Sequence, residues 1–86
     1  MSELPSTSPS HITFYTKAGC HLCEQAREML DDIATEVDYE LTEIDIRSDP
    51  ALFKQYQYRI PVIIVNTTHV AEGRIEYSDL VRAFQL

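Results

Sequence analysis

Apolar and polar side chains alternate from His11 to Thr16, with Ile12 and Phe14 on one side of the pleat, and this period of two predicts a strand. Lys17-Ala18-Gly19 interrupts it. The apolar positions then change period. Leu22, Ala26, Met29, Leu30, Ile33 and Val37 fall on one face of a helix of about four turns. Tyr39 to Ile46 reads as a second strand whose apolar phase slips at Thr42. Asp49 followed by Pro50 has the form of an N-cap and first helical residue, and Leu52, Phe53 and Tyr56 supply the buried face of a short helix. Pro61-Val62-Ile63-Ile64-Val65 is apolar throughout, as in a strand covered on both faces. Asn66-Thr67-Thr68 turns the chain into a short strand at His69-Val70-Ala71, Gly73 ends it, and Tyr77, Leu80, Val81 and Phe84 mark a last helix.

The predicted order is β-α-β-α-β-β-α. A right-handed crossover makes the first two strands parallel. The tight turn near Asn66 makes the last two antiparallel. An α/β fold follows, a four-stranded mixed sheet with helices on both faces.

Composition narrows the class. Eighty-six residues with 44% hydrophobic content suit one small domain, and no apolar run reaches the length of a membrane span. Residues 1–10, MSELPSTSPS, are rich in Ser and Pro and lack the basic and apolar regions of a signal peptide, so they read as a disordered tail before a domain at 11–86. A formal charge of −7 argues against nucleic acid or an anionic membrane as partner. Two cysteines cannot build the disulfide framework of a small secreted domain. The expectation is a cytoplasmic monomer in which any disulfide is transient.

Both cysteines lie in one stretch, TKAGCHLCEQA, at the junction of the first strand and first helix. Helix N-termini carry unpaired N–H groups and the positive end of the dipole. A thiolate there is favoured over the thiol, which lowers the pKa from the roughly 8.5 of a free cysteine. Lys17 can add positive charge, and His21 could tune Cys20 in the same sense. Cys20, at the exposed helix start, is the expected nucleophile. Cys23, one turn further on the same face, is the expected resolving thiol. A structural zinc site wants four ligands, usually two such pairs, and His11, His21 and His69 show no paired spacing. No metal is expected. Two inert cysteines remain the plain alternative.

Taken together, Lys17 with Cys20 and Cys23, the element order and Arg59-Ile60-Pro61 resemble the thioredoxin superfamily, and most closely its small glutaredoxin-like members. The resemblance spans residues 11–86. It implies a cis bond before Pro61, a position for Pro61 facing the cysteines, and a substrate-binding backbone at Ile60. It also implies a thiol–disulfide oxidoreductase that reduces protein or glutathione mixed disulfides. The reductant would be glutathione as co-substrate or a thioredoxin reductase-type enzyme, and no bound cofactor is needed. The sequence departs from the glutaredoxin pattern twice. His21-Leu22 stands between the cysteines where Pro-Tyr is usual, and Val70-Ala71-Glu72-Gly73-Arg74-Ile75-Glu76, with one glycine and an acid where an anion should approach, replaces the Gly-Gly and acidic pair that binds the glutathione carboxylate. Tyr56-x-x-Arg59-Ile60-Pro61 and the Gly73…Leu80…Phe84 ending look closer to thioredoxin. Two other readings are a glutathione-assisted iron–sulfur cluster binding module and a redox-inactive interaction domain.

Overall fold

The first strand is the second of four in the sheet, and the rest of the molecule is arranged around it. The computed structural model describes residues 10–86, so the tail expected at 1–10 lies outside the described residues except for Ser10, which opens the first strand. That strand, β1 (Ser10–Thr16), pairs in parallel with β2 (Tyr39–Asp45), from Ser10 opposite Tyr39 to Thr16 opposite Asp45. On its other side it pairs antiparallel with β3 (Val62–Val65), and β3 with β4 (Thr68–Glu72), giving the order β2-β1-β3-β4. Between β1 and β2 runs α1 (His21–Ile33), between β2 and β3 runs α2 (Pro50–Tyr56), and α3 (Tyr77–Phe84) closes the chain.

Pleat alternation divides the core in two. Ile12, Phe14, Ile63 and Val65 pack with Ala26, Leu30 and Ile33 of α1 and Leu80 of α3. Val62 packs with Ile46 and Tyr56 on the other face, where Leu52 and Phe53 of α2 and Tyr15 of β1 join them. Successive β3 residues therefore meet opposite layers, which is why Pro61 to Val65 is apolar without interruption. Among the described residues, no helix is long and apolar enough to cross a membrane.

Caps set the helix limits. Asp49 Oδ1 accepts the Ala51 N–H at 2.8 Å, as the Asp-Pro pair predicts. The Glu76 N–H donates to Asp79 Oδ2 at 3.0 Å at the start of α3. Helix α1 ends a turn before Val37. The N–H and hydroxyl of Thr35 both donate to the Asp32 carbonyl, at 3.2 and 2.7 Å, and a side chain that bonds local backbone in this way competes with helix continuation. Val37 still packs on the core, so its apolar spacing persists after the helix has stopped. Strand β2 likewise ends before Ile46, which enters a 3₁₀ turn (Ile46–Ser48) capped by the Asp45 side chain and is buried beneath α2.

Candidate active site

The C-terminal end of β1, the N-terminal end of β3 and the C-terminal end of β4 share one end of the sheet, because Tyr15 pairs with Val62 and Val62 with Glu72. The cysteine loop leaves β1 there, and Ile60-Pro61 enters β3 there. Lys17, Ala18 and Gly19 make the bend. Gly19 has φ of +82°, a region costly for residues with a Cβ, and the Cys20 N–H closes the turn on the Lys17 carbonyl at 3.3 Å.

Cys20 is the N-cap of α1 and is half-buried. Its carbonyl takes the first helical hydrogen bond, from the Glu24 N–H at 3.1 Å, while its Sγ accepts the Cys23 N–H at 3.2 Å. The sulfur thus occupies the place of a capping oxygen, where hydrogen bonding and the helix dipole both favour negative charge. Cys23 is only 2% exposed and packs in the larger core cluster. The two are joined as a disulfide with Cα atoms 5.1 Å apart, within the usual range.

The other residues singled out in the sequence lie at this end of the sheet. Lys17 lines a pocket of about 580 Å³ with Thr16, Cys23, Glu24, Arg27 and Asp45 among its walls. Lys17 makes no ion pair within 4.0 Å among the described residues, but its charge reaches Asp45. The Asp45 carboxyl is held below the ordinary aspartate value chiefly by hydrogen bonds from the Arg47 side chain and N–H, with Lys17 adding to them. His21 is exposed, and its ring nitrogens lie 3.2 Å from Gln25 Nε2 and 4.0 Å from Glu24 Oε1 on its own helix. The Ile60–Pro61 bond is cis, and Pro61 is fully buried. Ile60 packs against both core clusters, one of which Cys20 also touches. Its N–H donates to the Tyr56 carbonyl at 3.1 Å, whereas its own carbonyl accepts no hydrogen bond among the described residues. Of the backbone at Ile60, the acceptor alone is therefore unpaired among the described residues.

Sequence reading missed an ion-pair network beside this segment. Arg59 Nη2 donates to Glu72 Oε1 at 2.8 Å and Arg59 Nε to the same carboxylate at 3.2 and 3.3 Å, while the guanidinium lies 5.0 Å from the centre of the Tyr56 ring. His69 Nε2 is 2.9 Å from Glu72 Oε1. In a regular strand residues three apart face opposite sides. The register of β4 shifts between Ile63 and Ile64, so His69 lies opposite Ile64 and Glu72 opposite Val62, both on the α2 side. The acid in the segment after the fourth strand's start was a visible signal; the bulge was not.

Residues 11–85 match the family described as Glutaredoxin-like domain (DUF836). Uncharacterized proteins of Mycobacterium bovis and Mycobacterium tuberculosis are 25% identical over 64 residues, which is 69% of this chain and 66% of theirs. Among solved structures, an X-ray structure of a protein from X. campestris is 27% identical, with a TM-score of 0.71 over 86% of this chain and 95% of that one. A solution structure of a Nitrosomonas europaea protein is 22% identical, with a TM-score of 0.69 over 95% and 98% of the two chains. A mutant thioredoxin from Halobacterium salinarum, 18% identical, shares the fold at a TM-score of 0.66 over 91% of this chain and 74% of its own. With a CxxC pair at the first helix start and this sheet, the chain belongs to the glutaredoxin-like domain family and has a thioredoxin-like fold.

Proposed function

We propose that the protein is a dithiol–disulfide oxidoreductase acting through Cys20 and Cys23. The observation that carries this reading is the Cys20 sulfur itself, placed as the N-cap acceptor of the Cys23 N–H. In the reduced protein the Cys20 thiolate attacks one sulfur of a substrate disulfide. A Cys20–substrate disulfide forms, and the other substrate sulfur leaves as a thiolate that takes a proton from solvent. Cys23 then gives its proton to water, and its thiolate attacks Cys20 Sγ. The Cys20–Cys23 disulfide forms, and the second substrate sulfur leaves as a thiolate that takes a proton from water. The substrate gains two electrons and two protons; the protein supplies both electrons and, by way of water, the Cys23 proton, and solvent supplies the other proton. Ile60 offers its carbonyl to an extended substrate, and Lys17 favours the thiolate by its charge. A thiol reductant, glutathione or a reductase-type enzyme, completes the cycle in the cytoplasm, with the protein acting as a monomer.

The test is trapping. Reduced Cys23→Ser mixed with a peptide disulfide should accumulate one covalent peptide adduct at Cys20, seen by intact mass. Cys20→Ser should accumulate none. Equal adducts on both variants, or none on either, would overturn the assignment of roles.

A further inference from the structure

The segment before Pro61 carries a cation that is already occupied. Arg59 precedes Ile60 directly, and one donor, the Gly73 N–H, lies 3.1 Å from the Arg59 carbonyl and 2.8 Å from that of Pro61. The end of β4 is therefore fastened to both sides of Ile60, and Glu72 flanks the same place. The three contacts from Arg59 Nε and Nη2 to the Glu72 carboxylate use the planar fork with which arginine otherwise recognises a carboxylate on another molecule. The bulge in β4 adds His69 to the same carboxylate. The pair is exposed enough that it contributes little to stability, and Arg59 is the residue next to Ile60 along the chain.

We propose that Glu72 is a specificity-determining residue: by occupying Arg59 it makes the site turn away disulfides that carry a carboxylate beside the sulfur and accept neutral or cationic ones. The carboxylate of Glu72 stands where an anionic group of the substrate would otherwise dock. This rests on the dithiol reading above and gives it a substrate class, polypeptide disulfides with neutral or basic neighbours.

Three small symmetric disulfides of differing charge test it: dithiodipropionate (anionic), bis-hydroxyethyl disulfide (neutral) and cystamine (cationic). Each is mixed at low salt with the reduced full-length protein, and the loss of two hydrogen atoms is timed by intact mass. Wild type should oxidise slowest with the anionic compound. Glu72→Gln should speed that reaction about fivefold and leave the neutral one within about twofold, the size expected for one screened charge at a site rim. Arg59→Gln/Glu72→Gln should lose the gain. Equal acceleration with all three disulfides, or a gain that survives in the double variant, would overturn the proposal while leaving the dithiol reading intact. No oxidation by any of the three would instead sink the dithiol reading and this proposal with it. A single cooperative urea transition in each variant, as in wild type, excludes misfolding.

Discussion

The sulfur of Cys20 accepts the backbone N–H of Cys23 at 3.2 Å, so the half-buried cysteine is bonded to the amide of the fully buried one. That hydrogen bond asks nothing of neighbouring side chains, because the donor belongs to the helix start itself. It favours a negative sulfur at position 20 and does nothing comparable for position 23.

Alkylation of the reduced protein should therefore be unequal. Cys20 should react with iodoacetamide at least about tenfold faster than Cys23, and its rate should rise with a midpoint below the roughly 8.5 of a free cysteine. Peptide mapping after brief labelling reads both quantities. Equal rates at the two cysteines would contradict the assignment.

Gly19 holds the loop that presents Cys20. At φ of +82°, a Cβ meets no neighbour within 4 Å, so the penalty on substitution is conformational alone. Gly19→Ala should lower unfolding free energy by about 1–2 kcal/mol, as measured by urea denaturation. No loss would mean that the loop readily adopts another conformation.

Leu30 is fully buried where α1 meets the sheet. Leu30→Ala should cost about 2–5 kcal/mol, a large share of the roughly 5–15 kcal/mol of a small domain. The thermal midpoint should fall sharply, with the oxidised protein affected like the reduced.

The Glu72 carboxyl is held below its ordinary value of 4.5, first by the Arg59 hydrogen bonds, with burial next and opposing them and His69 lowering it further. A depressed folded pKa contributes stability above the unfolded value and loses it as pH falls through the folded one. The stability difference between wild type and Glu72→Gln should accordingly be constant near neutrality and shrink below about pH 4.5. Paired urea titrations at several pH values check this. A difference that grows towards acid would reverse the sign and refute it.

The elements were legible because their periods are clean. Phe14 and Ile12 alternate, Ala26, Leu30 and Ile33 recur at helical spacing, and Asp49-Pro50 announces its own helix. Boundaries were less so. Val37 keeps the helical phase after Thr35 has turned the chain out of the helix, and Ile46 is buried from a 3₁₀ turn instead of a strand. The cysteine pair could be placed because a strand, a glycine and an amphipathic run fix the helix start around it. The pairing of Arg59 with Glu72 could not, since it depends on a bulge in β4 that no local residue pattern marks.

The most direct test of the account is the equilibrium of the cysteine couple. Pure protein is poised in a series of glutathione redox buffers, quenched with acid and weighed intact. A cooperative loss of two hydrogen atoms with a single midpoint is expected, abolished in Cys20→Ser and in Cys23→Ser. A protein that keeps both thiols at every poise, or forms only glutathione adducts with no internal disulfide, would contradict it.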